Sequence, residues 1–216
     1  MKSKKQQLKN WKLYAILDNS LFPDRRKLLR KFYDLLESPV DAVQLRFKDF
    51  TEPALYRTAR KMVVRAKEKN VPLIINDRPD IALFLGASGV HLGKGDIPVS
   101  TARRMLGAGA IVGRTIRGLK DLEAVDTSDV DYVAIGPVYR TPSKPGLKTV
   151  PRTLLRELCS KARFPLVAIG GINAGNVRSL IDEGIRTVAF ARYGTTGKDT
   201  RKEIEELKGI ITREIK

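Results

Sequence analysis

"LYAILDNSLFPD", residues 13–24, decides the fold. An apolar run ends on Asp18, and the turn that follows it, DNSLFPD, holds no glycine. A doubly wound α/β sheet usually carries a glycine-rich first turn, which lets the backbone approach a pyrophosphate. This turn lacks that feature. Similar short runs recur along the chain: "AVQLR" from Ala42, "LIIND" from Leu73, "GVHLG" from Gly89 and "AIVGRT" from Ala110. "YVAIG" from Tyr132, "LVAIGG" from Leu166 and "TVAFAR" from Thr187 complete the set. Each is apolar on both alternations, as expected of a strand buried on both faces of a parallel sheet.

Helical patterns lie between the runs. Residues 52–69 place Thr51 as a cap, Pro53 in the first turn and apolar residues at three-to-four spacing. Residues 25–36, 100–106, 151–161, 176–183 and 198–215 read similarly, whereas the segments after Asp80 and Lys120 read as single turns. No linker or composition break interrupts the alternation. The expectation is one α/β domain over residues 1–216, a single (β/α)₈ TIM barrel, with residues 1–12 as a basic N-terminal extension.

The composition is that of a globular protein, with 42% hydrophobic and 30% charged residues. No apolar run approaches the ~20 residues that span a bilayer. The basic N-terminus resembles the start of a signal peptide. Its apolar stretch, residues 13–17, falls short of the ~7–15 residues required, and no small-residue cleavage site follows. A cytoplasmic protein is expected, and the single cysteine, Cys159, suits a reducing compartment. Cys159 reads as structural. His91 is the one histidine, which leaves little room for a zinc site or a Ser–His relay. Within its strand, His91 reads as a hydrogen-bonded core residue, and Trp11 and Tyr14 as packing at the barrel's N-terminal face. The net charge of +17 admits a nucleic-acid surface, an anionic substrate or a solvated exterior. With no zinc-finger or RNA-binding signature present, the solvated exterior is favoured over nucleic acid.

Chemistry in such a barrel sits at the C-terminal ends of the strands. Asp18 ends the first. Gln44, Arg46 and Lys48 alternate at the end of the second, so all three point to one side. Asn76 and Asp77 end the third, Asp96 follows the fourth and Thr115 ends the fifth. Thr141, Ser143 and Lys144 follow the sixth. Neighbouring strands lie ~4.8 Å apart, so Asp77 and Asp96 can reach one ion. Two carboxylates without histidine or thiolate suit Mg²⁺, which keeps waters and binds substrate phosphates. Arg46, Lys48 and Lys144 would supply charge for a polyphosphate. Taken singly, each acid could equally be a turn former. "AIGGIN", residues 168–173, followed by "NAGN", reads as a phosphate-binding loop opening onto a helix N-terminus. The same glycines also suit tight strand–helix packing.

"QLRFK", "INDRPDIA", "GVHLGKGDIP", "DYVAIGPVYRTPSK" and "PLVAIGGI" together resemble the thiamine-phosphate synthase (thiamine-phosphate pyrophosphorylase) family, in order from about Leu13 to Ala191. The resemblance implies a (β/α)₈ barrel that joins a hydroxymethylpyrimidine diphosphate to a thiazole phosphate with Mg²⁺. Gln44, Arg46, Lys48 and Asn76 would then hold the pyrimidine diphosphate, and Asp77 and Asp96 the metal. Lys144 would contact the leaving diphosphate, while Thr141, Ser143 and Gly171 would seat the thiazole phosphate. Several positions depart from the pattern. Thr115 replaces a serine, Lys94 a glutamine, and Arg192 a serine after the last strand, while Arg114 and Arg117 add charge after the fifth. These departures fall more on the thiazole-phosphate side. The related thiazole tautomerase uses a histidine near the position of Arg117. Other readings are a phosphate-binding barrel isomerase or a non-catalytic basic regulatory protein. The sequence leaves room for a homo-oligomer.

Overall fold

Strands that are apolar on both faces need cover on both sides, and this chain provides it by closing its sheet. The computed structural model describes residues 4–47, 53–143 and 146–214. Strands β1 (Leu13–Asp18), β2 (Ala42–Arg46), β3 (Leu73–Asn76) and β4 (Gly89–Leu92) pair in parallel, each with the next. Strands β5 (Ile111–Ile116), β6 (Tyr132–Ile135), β7 (Leu166–Ile169) and β8 (Thr187–Phe190) continue the order, and β8 pairs back onto β1. Helices α1 (Lys4–Lys9), α2 (Arg25–Leu36), α3 (Pro53–Glu68), α4 (Pro79–Leu85) and α5 (Val99–Leu106) accompany the first half. Helices α6 (Leu119–Glu123), α7 (Arg152–Lys161), α8 (Arg178–Asp182) and α9 (Thr200–Glu214) accompany the second. The fold is the expected (β/α)₈ barrel.

Two helices differ from expectation. Helix α4 has seven residues rather than one turn, opened by Pro79 and closed by Gly86 at φ 64°. Helix α8 starts only at Arg178, because the Asn173 and Asn176 side chains organise a turn ahead of it. Thr51, expected as the cap of α3, lies outside the described residues.

Residues alternate between two cores. The outward set, including Val43, Leu45, Ile75 and Val133, packs under the helices. The inward set, including Tyr14, Ile16, Ala42, Ile74, Ile111, Tyr132 and Val167, fills the barrel together with Leu8 and Trp11. The N-terminal segment is thus a plug. Trp11 lies 5.5 Å from the Tyr14 ring and 5.8 Å from that of Tyr132. Lys4 Nζ donates to the carbonyls of Ala108 and Ala110 and pairs with Asp131 at 2.9 Å. Trp11 closes the N-terminal face as expected, whereas Tyr14 lies inside the barrel.

One glycine makes that interior fit. Gly113 faces Tyr132 in the β5–β6 register, and a Cβ there would sit 2.1 Å from the phenol ring. The ring is fully buried and has no open side to move into. Gly113→Ala is therefore expected to destabilise the protein by ~1–3 kcal/mol. Urea unfolding followed by the fluorescence of Trp11 measures this; an unchanged midpoint would show that the ring is not held over Gly113.

Candidate active site

The strand ends opposite α1 gather the polar residues. Arg46 at the end of β2 forms an ion pair with Asp18 at the end of β1, its register partner. Asp18 also accepts from Ser20 N at 3.0 Å and Ser20 Oγ at 2.7 Å. Arg46 is thereby held in one place, half-buried, before any ligand arrives. Sequence reasoning noted Asp18 only as a strand end. An inward acid level with an inward arginine on the next strand is the signal that would have found the pair.

Asp77 follows β3 with φ 64°, a left-handed backbone that few residues other than glycine, asparagine and aspartate adopt. Its N–H donates to the His91 carbonyl at 2.8 Å, which fixes the turn against β4. The Asp77 carboxyl neighbours that of Asp96 closely enough for each to act on the other's charge. Asp96 is itself anchored by accepting from Gly93 N at 2.6 Å. Burial and then the neighbouring Asp96 push the Asp77 carboxyl up to about 6, while Asn76 and Arg46 pull the other way. The two carboxylates offer hard oxygens of the kind Mg²⁺ takes; among the described residues no group of three or more His, Cys, Asp or Glu that could hold a metal ion is found. An ion there would complete its shell from phosphate and water.

Other expected residues lie around this group. Gln44 and Thr115 are inward, and both bond into the barrel interior. Thr141 is half-buried and Ser143 exposed, with Thr141 Oγ1 accepting from Ser143 N at 3.3 Å. Arg192 is exposed on the rim after β8. Its carbonyl accepts from Thr195 N and Thr196 N, and its guanidinium has no partner among the described residues. Among the described residues, no hydrogen bond joins Thr141, Ser143, Gly171 or Arg192 to the β2–β4 group. Lys48 and Lys144 lie outside the described residues.

The glycine loop has a packing role of its own. Gly170 and Gly171 have φ 108° and 65°, and a Cβ would meet Pro137 at 2.6 Å in the first case and the Arg140 carbonyl at 2.5 Å in the second. Only glycine lets the loop after β7 lie against the loop after β6. The N–H groups of Asn173 and Gly175 are already bound by asparagine side chains. The expected opening of "NAGN" onto an anion-binding helix terminus is therefore corrected: these two amides serve the turn.

The crowded acids carry a testable cost. Below about pH 3 Asp77 is largely protonated in both the folded and unfolded chain, so it costs nothing. As pH rises from about 4 towards 6, the unfolded chain ionises before the folded one, and stability is lost. Solvent screens part of this, because Asp77 is exposed. Asparagine tolerates the same backbone. Cation-free Asp77→Asn is expected to melt roughly 2–4 °C above the parent at pH 8, the shift about 1 kcal/mol produces at this size. At pH 4 the gain should nearly vanish; an equal gain at both values would assign it to the backbone instead.

The thiamine monophosphate synthase family matches residues 13–193. The thiamine-phosphate synthase of Methanobrevibacter smithii is 39% identical over 173 residues, covering 80% of this chain and 82% of that protein. That of Halalkalibacterium halodurans is 30% identical, covering 94% of this chain and 97% of its own. The solved thiamine phosphate pyrophosphorylase of Pyrococcus furiosus superposes with a TM-score of 0.84 at 27% identity, covering 98% of this chain and 100% of that one.

Proposed function

The chain belongs to the thiamine monophosphate synthase family, a family of transferases, and on that premise we propose its reaction in detail. It joins the hydroxymethylpyrimidine group, carried as its diphosphate, to a thiazole phosphate, forming thiamine phosphate and releasing diphosphate. The observation that carries this reading is the arginine at the end of β2 already fixed by Asp18, with the neighbouring carboxyls of Asp77 and Asp96 after β3 and β4.

The bond from the pyrimidine methylene carbon to the diphosphate oxygen breaks, and its electron pair leaves with diphosphate. The resulting ring-stabilised cation is captured by the lone pair of the thiazole nitrogen, so no proton need be removed by the protein. What such a step requires is positioning and neutralisation of the departing charge. Asp77 and Asp96 would hold Mg²⁺, which when bound supplies positive charge to the diphosphate. Arg46, Lys48 and Lys144 add theirs from the strand ends. Gln44, Asn76 and Thr115 would orient the pyrimidine half. Thr141, Ser143, Gly171 and Arg192 would receive the thiazole phosphate, with the Arg192 guanidinium offering a planar fork to it. The single cysteine fits a cytoplasmic setting for these small-molecule substrates.

A turnover assay with both substrates and Mg²⁺ should release thiamine phosphate and diphosphate in equal amounts. EDTA should abolish both, and Asp96→Ala should lower turnover by at least about a hundredfold. Release of neither product by the parent protein would end the synthase reading. Arg192→Ala separates the two substrates. Its KM for thiazole phosphate should rise about tenfold or more, the worth of a charged hydrogen bond, with the KM for the pyrimidine diphosphate unchanged. An unchanged or lower KM for thiazole phosphate would remove Arg192 from the phosphate site.

A further inference from the structure

Hydrogen bonds run end to end through the barrel interior. Gln44 Nε2 donates to Tyr14 OH at 2.8 Å, and Tyr14 OH meets Tyr132 OH at 2.9 Å. Tyr132 OH then meets His91 Nδ1 at 2.9 Å, and His91 Nε2 meets Thr115 Oγ1 at 2.9 Å. The chain thus links β2 to β5 through side chains of β1, β6 and β4. Gly113 makes the crossing feasible: it lies between His91 and Tyr132 in register, and its missing Cβ leaves room for the phenol ring. The ring lies beside the imidazole, with centroids 5.5 Å apart and planes 22° from parallel.

The protons in this chain have one consistent direction. Burial raises both tyrosine hydroxyls far above their ordinary value, so each keeps its single proton. Tyr14 accepts from Gln44, so its proton goes to Tyr132. Tyr132 accepts from Tyr14, so its proton goes to His91 Nδ1. That nitrogen carries no hydrogen, so the ring proton sits on Nε2 and is donated to Thr115. The reverse direction would leave both N–H groups of the buried Gln44 amide unused, and orphaned N–H groups are rarer than under-used carbonyls. Among the described residues, one acceptor, Gln44 Oε1, and one donor, the Thr115 hydroxyl proton, remain at the two ends.

We infer that Tyr14, Tyr132 and His91 are positioning residues that hold Gln44 as a hydrogen-bond acceptor and Thr115 as a donor. They thereby favour a substrate ring bearing an amino group over one bearing a carbonyl at that place. The polarity rests on the hydrogen bonds alone; the identity of the ring rests on the synthase reading. A carbonyl facing Gln44 would set two acceptors together unless every link reversed, with an amide flip, two hydroxyl rotations and an exchange of imidazole tautomer.

His91 is the sole histidine, so protein labelled with ¹⁵N in the histidine ring yields one imidazole to observe. Long-range ¹H–¹⁵N spectra at pH 7.5 should show the Nε2–H tautomer in the parent protein and a tautomer mixture in Tyr132→Phe. An Nδ1–H tautomer in the parent, or an unaltered spectrum in the variant, overturns the chain. In kinetics, Tyr132→Phe should raise the KM for the pyrimidine diphosphate roughly three- to tenfold, the worth of one hydrogen bond. Its kcat and its KM for thiazole phosphate should stay within about twofold of the parent. The carbonyl analogue of the pyrimidine diphosphate, tested as an inhibitor, should bind the parent at least about tenfold more weakly than the amino compound, and Tyr132→Phe should narrow that ratio. A variant that loses thermal stability with neither KM nor ratio altered shows a structural role and overturns the positioning. A parent protein with the Nε2–H signal but no turnover removes the synthase reading and upholds the polarity.

Discussion

Closing eight parallel strands into a barrel leaves an interior wide enough for side chains and nothing more, and the rest of this protein follows from how that space is filled. Every inward residue must share the lumen with those of the other strands. Here two tyrosines occupy it, with Gly113 giving up its side chain to admit one of them and Trp11 pressing on both from below. Buried phenols bring hydroxyls, and a buried hydroxyl without a partner is costly. The partners are Gln44, His91 and, through the imidazole, Thr115. The packing of the core and the polarity of the site floor are one arrangement.

A second constraint is charge. The chain carries a net charge of +17. The acids that are present are used in two different ways. Asp18 is spent on Arg46, which orders a side chain that would otherwise carry much rotamer freedom. Asp77 and Asp96 instead neighbour each other, and their repulsion, offset in part by Asn76 and Arg46, leaves the Asp77 carboxyl raised. The fold can afford this because the left-handed turn at Asp77 is tied to β4 through the His91 carbonyl.

Much of this was legible in the sequence, for identifiable reasons. Strands apolar on both alternations have few alternatives to a parallel sheet, and the glycine-free first turn removed the open one. The acids after β3 and β4 were readable because neighbouring strands deliver their ends to neighbouring places. The interior chain was not readable. Tyr14 looks like packing until its partner is known, and that partner lies 118 positions further along the chain. The glycine pair after β7 pointed to an anion, yet its conformation is already demanded by the close approach of Tyr139 and Arg140. Local pattern cannot separate these two demands, because both ask for the same residue. The helix expected at residue 176 failed similarly, since asparagine side chains compete with helix formation by binding nearby amides.

A barrel with one histidine would be a poor catalyst for reactions that need a proton moved at neutral pH. In this structure the histidine is not held in reserve for that task. Both its ring nitrogens are occupied by hydroxyls inside the barrel, and its carbonyl braces the turn that carries Asp77. Its place is beneath the site, as part of the floor. A reaction whose bond breaks by departure of diphosphate, and whose new bond forms from a neutral nitrogen, asks for no base. It asks for charge above the floor and fixed donors and acceptors within it. On the proposed reaction the candidate residues would divide along that line: Arg46, Asp77 and Asp96 at the mouth would carry charge, and Gln44, Tyr14, Tyr132, His91 and Thr115 below would carry direction.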